Sequence, residues 1–125
     1  MRILLDTCIA YAWLMDKIID DDTIKLIQSS GAYVSPVSVL EMSIKHSLGK
    51  LPLPSRNPAL DIEAQGFMWL NVTPYHAERV IDLPFHHRDP FDRLIIAQSM
   101  HESMRVLTYD PIFQRYPGNV LLVRK

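Results

Sequence analysis

The chain has 125 residues, 48% of them hydrophobic and 22% charged, which is the length of one ordinary domain and the balance of a globular one. Its 13 basic and 14 acidic side chains leave a formal net charge of -1, which argues against coating nucleic acid through bulk positive charge. The one cysteine, Cys8, excludes an internal disulfide framework and a Cys-based zinc site; it fits a reducing, cytoplasmic setting, and no apolar run approaches the ~20 residues of a membrane span.

Arg2 and the apolar residues after it superficially suggest a signal peptide, but Asp6 interrupts the run and no small-residue cleavage site follows. Ile3-Leu4-Leu5 suits a short strand buried on both faces, as in a parallel sheet. A helix is expected over Thr7 to Met15 and another over Asp22 to Ser29, ended by Gly31. Ala32-Tyr33-Val34 is a second short strand. Ser35-Pro36 reads as a cap followed by a helix-starting proline, opening a helix to about Leu48 that stops at Gly49. The Pro-rich stretch from Leu51 to Pro58 is a loop, and Pro58 to Gly66 a further helix.

Met68 to Val72 is strand-like. Thr73-Pro74 repeats the cap-plus-proline signal and opens a helix to about Leu83; Asp89-Pro90 repeats it for a helix to about Met104. Val106-Leu107-Thr108 is a clear apolar strand, Asp110-Pro111 opens a short helical turn, and Val120 to Val123 is the last strand. Strands alternating with helices throughout predict an α/β fold: a three-layer α/β/α sandwich with a mostly parallel central sheet, formed by residues 1–125 as one domain. In such sheets ligands bind beyond the carboxyl ends of the strands, near a topological switch point.

That rule directs attention to the acids. Asp6 follows the first strand directly and Asp110 lies two residues past Thr108, so both fall on the same carboxyl edge. Taken singly, each also reads as a helix cap. Asp89 reads as the cap of its helix, with Asp92 in the first turn, where the helix dipole favours acids by ~0.3–1 kcal/mol. Glu41 is harder to explain as structure. At ~100° per residue it shares one side of its helix with Val37, Leu40, Ile44 and Leu48, and an unpaired carboxylate on an apolar side calls for a partner, a metal or a raised pKa. Lys45 could pair with it as an i,i+4 bridge.

Asp6, Glu41, Asp92 and Asp110 thus come from four segments and can point at one edge of the sheet. Crowded carboxylates repel, and a divalent cation removes the conflict; hard oxygen ligands suit Mg²⁺ or Mn²⁺. A site of that kind activates water and steadies a phosphoryl transition state. The five histidines show no metal-protease spacing. His86, His87, Arg88 and Arg93 form a basic cluster beside Asp92 that either contacts a phosphate backbone or is solvated, and His101 reads as a surface residue. No nucleophile elbow, P-loop or dinucleotide fingerprint is present. Cys8, in an apolar helix, reads as a small core residue rather than a nucleophile.

Several of these segments resemble PIN domains: Leu4-Leu5-Asp6-Thr7, Ser35 to Lys45 around Glu41, Leu48-Gly49-Lys50-Leu51, His87-Arg88-Asp89-Pro90-Phe91-Asp92-Arg93-Leu94-Ile95-Ile96-Ala97-Gln98, and Leu107-Thr108-Tyr109-Asp110 with Phe113 and Tyr116. The subgroup they most resemble is the VapC-type toxins of bacterial toxin–antitoxin pairs. The resemblance implies a Mg²⁺- or Mn²⁺-dependent endoribonuclease holding one or two ions on Asp6, Glu41, Asp92 and Asp110, with the hydroxyls of Thr7 and Thr108 flanking the cluster. Asp89 and Arg93 match the subgroup motif, whereas Cys8 stands where the subgroup often has histidine. The resemblance further implies RNA hydrolysis to a 5′-phosphate and a 3′-hydroxyl, a homodimer, and inhibition by a small antitoxin whose C-terminal segment blocks the acidic groove. Two rivals remain at this point: a phosphatase with Asp6 as nucleophile, disfavoured because Cys8 stands where a second acid is wanted, and a catalytically silent PIN-like binding module.

Overall fold

A computed structural model of the protein describes residues 1–18 and 20–125. In chain order its elements are β1 (Ile3–Leu5), α1 (Thr7–Leu14), α2 (Asp21–Ser30), β2 (Tyr33–Val34), α3 (Pro36–Ser47), α4 (Pro58–Ala64), β3 (Met68–Trp69), α5 (Pro74–Arg79), α6 (Pro90–His101), β4 (Arg105–Thr108) and β5 (Asn119–Leu122). Short 3-10 turns follow α5 at Val80–Asp82 and β4 at Pro111–Arg115. Proline occupies the start of α3, α4, α5 and α6, where its missing N–H costs no hydrogen bond and its fixed φ suits a helix. The residue before it caps three of these helices. The Ser35 side chain accepts from the Val37 N–H, Thr73 from His76, and Asp89 from both Phe91 and Asp92.

The five strands form one sheet in the order β3-β2-β1-β4-β5, and every neighbouring pair is parallel. Leu5 lies in register with Val34 on one side and with Leu107 on the other. Because side chains alternate across a strand, β1 feeds two separate cores. Ile3 and Leu5 pack with Ile9 and Ala10 of α1, Ile27 of α2, Met42 of α3 and Ile62 of α4. Leu4 points the other way and packs with Ile95, Ile96 and Ala97 of α6 and with Phe113. These two clusters on either side of the sheet make the expected three layers. No helix among the described residues is long and apolar enough to cross a membrane.

Most differences from the sequence reading lie at element ends. The last α-helix stops at His101 because Ser103 turns the chain with φ of 54° and the Met104 N–H closes back on the Ser99 carbonyl at 2.8 Å, which frees Arg105 to enter the sheet. The helix after Thr73 tightens into a 3-10 turn at Val80, and the third strand is only two residues long, at the edge of the sheet. Gly31 ends α2 with φ of 64°, a left-handed conformation that costs glycine little.

One difference is larger. The apolar side expected of α3 is only partly buried: Val37 is covered, but Leu40, Ile44 and Leu48 are 51%, 40% and 63% exposed. The residues turned inward are Val37, Ser38, Glu41 and Met42, and everything from Ser43 to Lys50 is exposed. Periodicity identifies residues that share a face; whether the face has a partner depends on where the helix lies. Here only the N-terminal half of α3 is covered by the rest of the molecule. Leu40→Ala is therefore expected to change the unfolding free energy by less than ~0.5 kcal/mol, whereas Met42→Ala, at a fully buried position, should cost ~2–5 kcal/mol. Urea denaturation of the two variants checks this.

Candidate functional site

From β1 the chain proceeds through β2 to β3 on one side of the sheet, then returns to build β4 and β5 on the other. The switch point is the carboxyl edge between β1 and β4, where a crevice opens in sheets of this kind. Asp6 stands there. Its N–H continues the ladder to the Leu107 carbonyl at 2.9 Å, and its side chain is almost wholly buried, with the residue 3% exposed. One carboxylate oxygen accepts from the Thr7 N–H at 2.7 Å. The other accepts from the Thr108 hydroxyl at 2.7 Å and the Cys8 thiol at 3.1 Å.

Thr108 also fixes the next acid. Its hydroxyl oxygen accepts from the Asp110 N–H at 3.0 Å, and Asp110 in turn caps the following turn by accepting from the Ile112 N–H at 3.0 Å. The Thr7 hydroxyl pairs with that of Ser38 at 2.8 Å, which ties α1 to α3 one turn before Glu41. Glu41 is buried; Oε2 takes the Lys45 ammonium at 2.7 Å, while Oε1 is buried with no hydrogen-bond partner. Asp89 acts as the cap expected of it, which sets the first turn of α6 and brings Asp92 round so that its Oδ2 lies 2.7 Å from His87 Nε2.

These carboxylates feel one another. Burial raises the pKa of Asp6, opposed by its hydrogen bonds from Thr108, Cys8 and Thr7, and the charge of Glu41 raises it further. Asp92 is pushed up to about 7, first by burial and then by the charges of Asp6, Asp89 and Glu41, with the His87 hydrogen bond opposing. Lys45 is held above its ordinary value, first by its hydrogen bond to Glu41 and then by the charges of Glu41, Asp89 and Asp92. Among the described residues, the ligating atoms that gather here within 4.8 Å of one another belong to His87, Asp92 and Asp110. Asp6 and Glu41 stand outside that set and join it through the field they exert on Asp92.

The donor set fits a divalent cation. It is dominated by hard oxygens, Asp92 within it carries a proton affinity that a cation would lower, and outside it Glu41 Oε1 is buried without a hydrogen-bond partner, which costs free energy.

Other expected participants lie elsewhere. Arg93 belongs to the scaffold: it is 8% exposed, donates to the carbonyls of Pro84, His87 and Val80 and to the Tyr116 hydroxyl, and lies over the Phe85 ring. Arg88 is exposed. Cys8 is only partly buried and donates its S–H to Asp6; burial and the Asp6 charge push its pKa up to about 12, so it stays a thiol at neutral pH and is no nucleophile. The sequence placed His87 in the basic cluster beside Asp92 but did not pair the two side chains. The link runs over a span of 5 residues around a capped proline, which no helical spacing rule anticipates.

Fold and site together define an all-parallel α/β protein with an acidic crevice at its topological switch point. The PIN domain model matches residues 3–119, and the chain belongs to the PIN domain family. Among solved structures it is similar to VapBC2 from Rickettsia felis bound to a DNA fragment of its promoter, with a TM-score of 0.75 and 15% identity over 99% of this chain and 100% of the other. It is also similar to DNA-bound VapBC from Salmonella typhimurium, with a TM-score of 0.66 and 15% identity over 97% of each chain. A third likeness is a toxin–antitoxin complex from Klebsiella pneumoniae, with a TM-score of 0.66 and 16% identity over 95% of each chain. At these identities the likeness is one of fold. No curated protein matches the chain.

The raised pKa of Asp92 has a definite sign for stability. A carboxyl whose folded pKa lies above its unfolded value favours the fold below the unfolded pKa, 3.8, and that contribution is lost as pH rises through about 7. Without divalent ions, Asp92→Asn should therefore unfold at a higher temperature than the native protein at pH 8, by about 4 °C or more. The gap should close near pH 4. Thermal melts in chelator at the two pH values measure it.

Proposed function

We propose that the protein is a metal-dependent endoribonuclease that serves as the toxin of a toxin–antitoxin pair. The observation that carries this reading is the acidic crevice itself: burial and the charge of Glu41 raise the pKa of Asp6, burial and the charges of Asp6 and Glu41 raise that of Asp92, and a carboxylate oxygen of Glu41 is left without a partner. Membership of the PIN domain family supports a nuclease, and the similar folds come from complexes described as VapBC or as toxin and antitoxin.

On this reading Asp6, Glu41, Asp92 and Asp110 hold Mg²⁺ or Mn²⁺, as one or two ions. When bound, the cation supplies activation of water and neutralisation of the charge that develops on a phosphodiester. The chain's own residues prepare the place. Thr108 and Thr7 hold the Asp6 carboxylate in one orientation, and Ser38 fixes the turn of α3 that carries Glu41. Lys45 balances Glu41 and offers a cation at the rim, where a phosphate backbone would pass. RNA is the substrate, a small antitoxin the partner, a homodimer the working form of this one domain, and the cytoplasm its location. Thr7, Thr108, Asp89, Arg93 and Arg88 support the site or its substrate from around the acids.

Purified protein should cleave RNA when Mg²⁺ or Mn²⁺ is supplied and stop when the ion is chelated. Asp6→Asn should lower cleavage by at least on the order of 100-fold while the variant keeps its secondary structure by circular dichroism. Full activity of folded Asp6→Asn would sink the proposal.

A further inference from the structure

His87 is held as few surface loop residues are. Its backbone N–H donates to the Tyr116 hydroxyl at 2.9 Å, and its carbonyl accepts from Arg93 at 3.4 Å. Tyr116 and Arg93 are both buried, and the same two side chains also bond to each other at 3.3 Å. Arg93 further grips the Pro84 carbonyl, and Tyr116 also receives the His86 N–H. The loop before α6 is thus clamped on both sides of residue 87. The clamp aims the imidazole at two acids: Nε2 lies 2.7 Å from Asp92 Oδ2 and 3.8 Å from Asp110 Oδ2.

The three groups stand close enough to take one ion with small side-chain shifts: the 2.7 Å contact is a hydrogen bond that an ion would open, and both separations fall below the span of opposite ligands. Donors ~2.1 Å from an octahedral cation stand ~3 Å apart when adjacent and ~4.2 Å apart when opposite. In the structure Nε2 donates to the Asp92 carboxylate; an ion in that place takes over the contact while the proton moves to Nδ1, which among the described residues no hydrogen bond holds. A second cluster of ligating residues, His76, His101 and Glu102, provides the contrast. There His76 Nδ1 accepts from the Thr73 N–H at 3.0 Å, so Nε2 carries the proton and donates it to Glu102 at 2.8 Å. That imidazole is committed to capping α5 and has no lone pair for an ion.

We propose that His87 Nε2, with the carboxylates of Asp92 and Asp110, forms a mixed nitrogen–oxygen site for a divalent transition ion, Mn²⁺, beside the carboxylates of Asp6 and Glu41. The inference rests on the metal-dependent reading above and deepens it, because Asp92 belongs to both sets of ligands. Mg²⁺ demands a near-ideal oxygen octahedron and gives up water reluctantly, while Mn²⁺, the first ion of the divalent transition series, accepts an imidazole in place of a water more readily. A nitrogen donor at one side of the crevice therefore selects Mn²⁺ over Mg²⁺. The loop clamped by Arg93 and Tyr116 exists, on this view, to place one imidazole.

The test uses the full chain and MnCl₂ alone. Pulsed electron paramagnetic resonance of the Mn²⁺-loaded protein should show nitrogen coupling from one directly bound imidazole. The coupling should vanish in His87→Gln and persist in His86→Gln. By titration, His87→Gln should weaken Mn²⁺ binding on the order of 10–100-fold and Mg²⁺ binding less than about 3-fold. The side chain of His87 is partly exposed and its backbone makes the clamp, so the variant should fold, which a thermal melt confirms. Mn²⁺ bound with no nitrogen coupling, or with coupling that survives His87→Gln, overturns this inference and leaves the metal-dependent reading intact. Absence of any Mn²⁺ or Mg²⁺ binding overturns both.

Discussion

A carboxylate that is 3% exposed at the end of a central strand must be satisfied from within the molecule, and Asp6 is satisfied by both halves of it. Its hydrogen bonds come from Thr7 and Cys8, which follow it on α1, and from Thr108 at the end of β4. The last of these spans 102 residues of sequence. It forms only if β1 and β4 lie side by side in the register that sets Leu5 against Leu107. Each bond to a charged group is worth ~1.5–3 kcal/mol, and leaving the charge bare would cost more. The demand of one acid for partners thus coincides with the pairing that creates the switch point, and the crevice follows from it.

The same demand spreads outward. Thr108 accepts from the Asp110 N–H while donating to Asp6, so the first and fourth acids are placed by one hydroxyl. Thr7 reaches Ser38, which sets the rotation of α3 and turns Glu41 inward. Basic groups answer in part: Lys45 on Glu41 and His87 on Asp92. They do not answer in full, as the raised pKa of Asp6 and Asp92 and the unpartnered oxygen of Glu41 attest. Residual cost of that kind lowers the stability of the fold and would be relieved by a bound cation.

The net charge of -1 looked at first like evidence against work on nucleic acid. The distribution of the charges matters more than their sum. Acids collect at the crevice, while one of the basic groups nearest them in sequence, Arg93, is buried in the scaffold and never reaches the surface. It grips backbone carbonyls and a tyrosine hydroxyl. A basic run in the sequence therefore contributed architecture, and the cations left near the acids are fewer than the composition suggests.

Much of this was legible in the linear pattern because the rules involved are local. Proline after a cap marked the start of α3, α5 and α6. Short apolar runs marked β1 and β4, and strand–helix alternation marked a parallel sheet with chemistry at its carboxyl edge. Glu41 was legible as a residue that its own helix could not explain. What the sequence could not determine is whatever depends on a partner far away in the chain. Leu40, Ile44 and Leu48 form an apolar side by periodicity, yet they are exposed because no element covers the second half of α3. Cys8 packs against one core as its sequence suggests, yet it turns its thiol onto Asp6, and His87 meets Asp92 only because Tyr116 and Arg93 hold its loop. Helical spacing and capping are short-range properties of the backbone and were readable without a structure. Burial, proton affinity and the direction a loop side chain takes are set by long-range packing, and only the tertiary structure decided them.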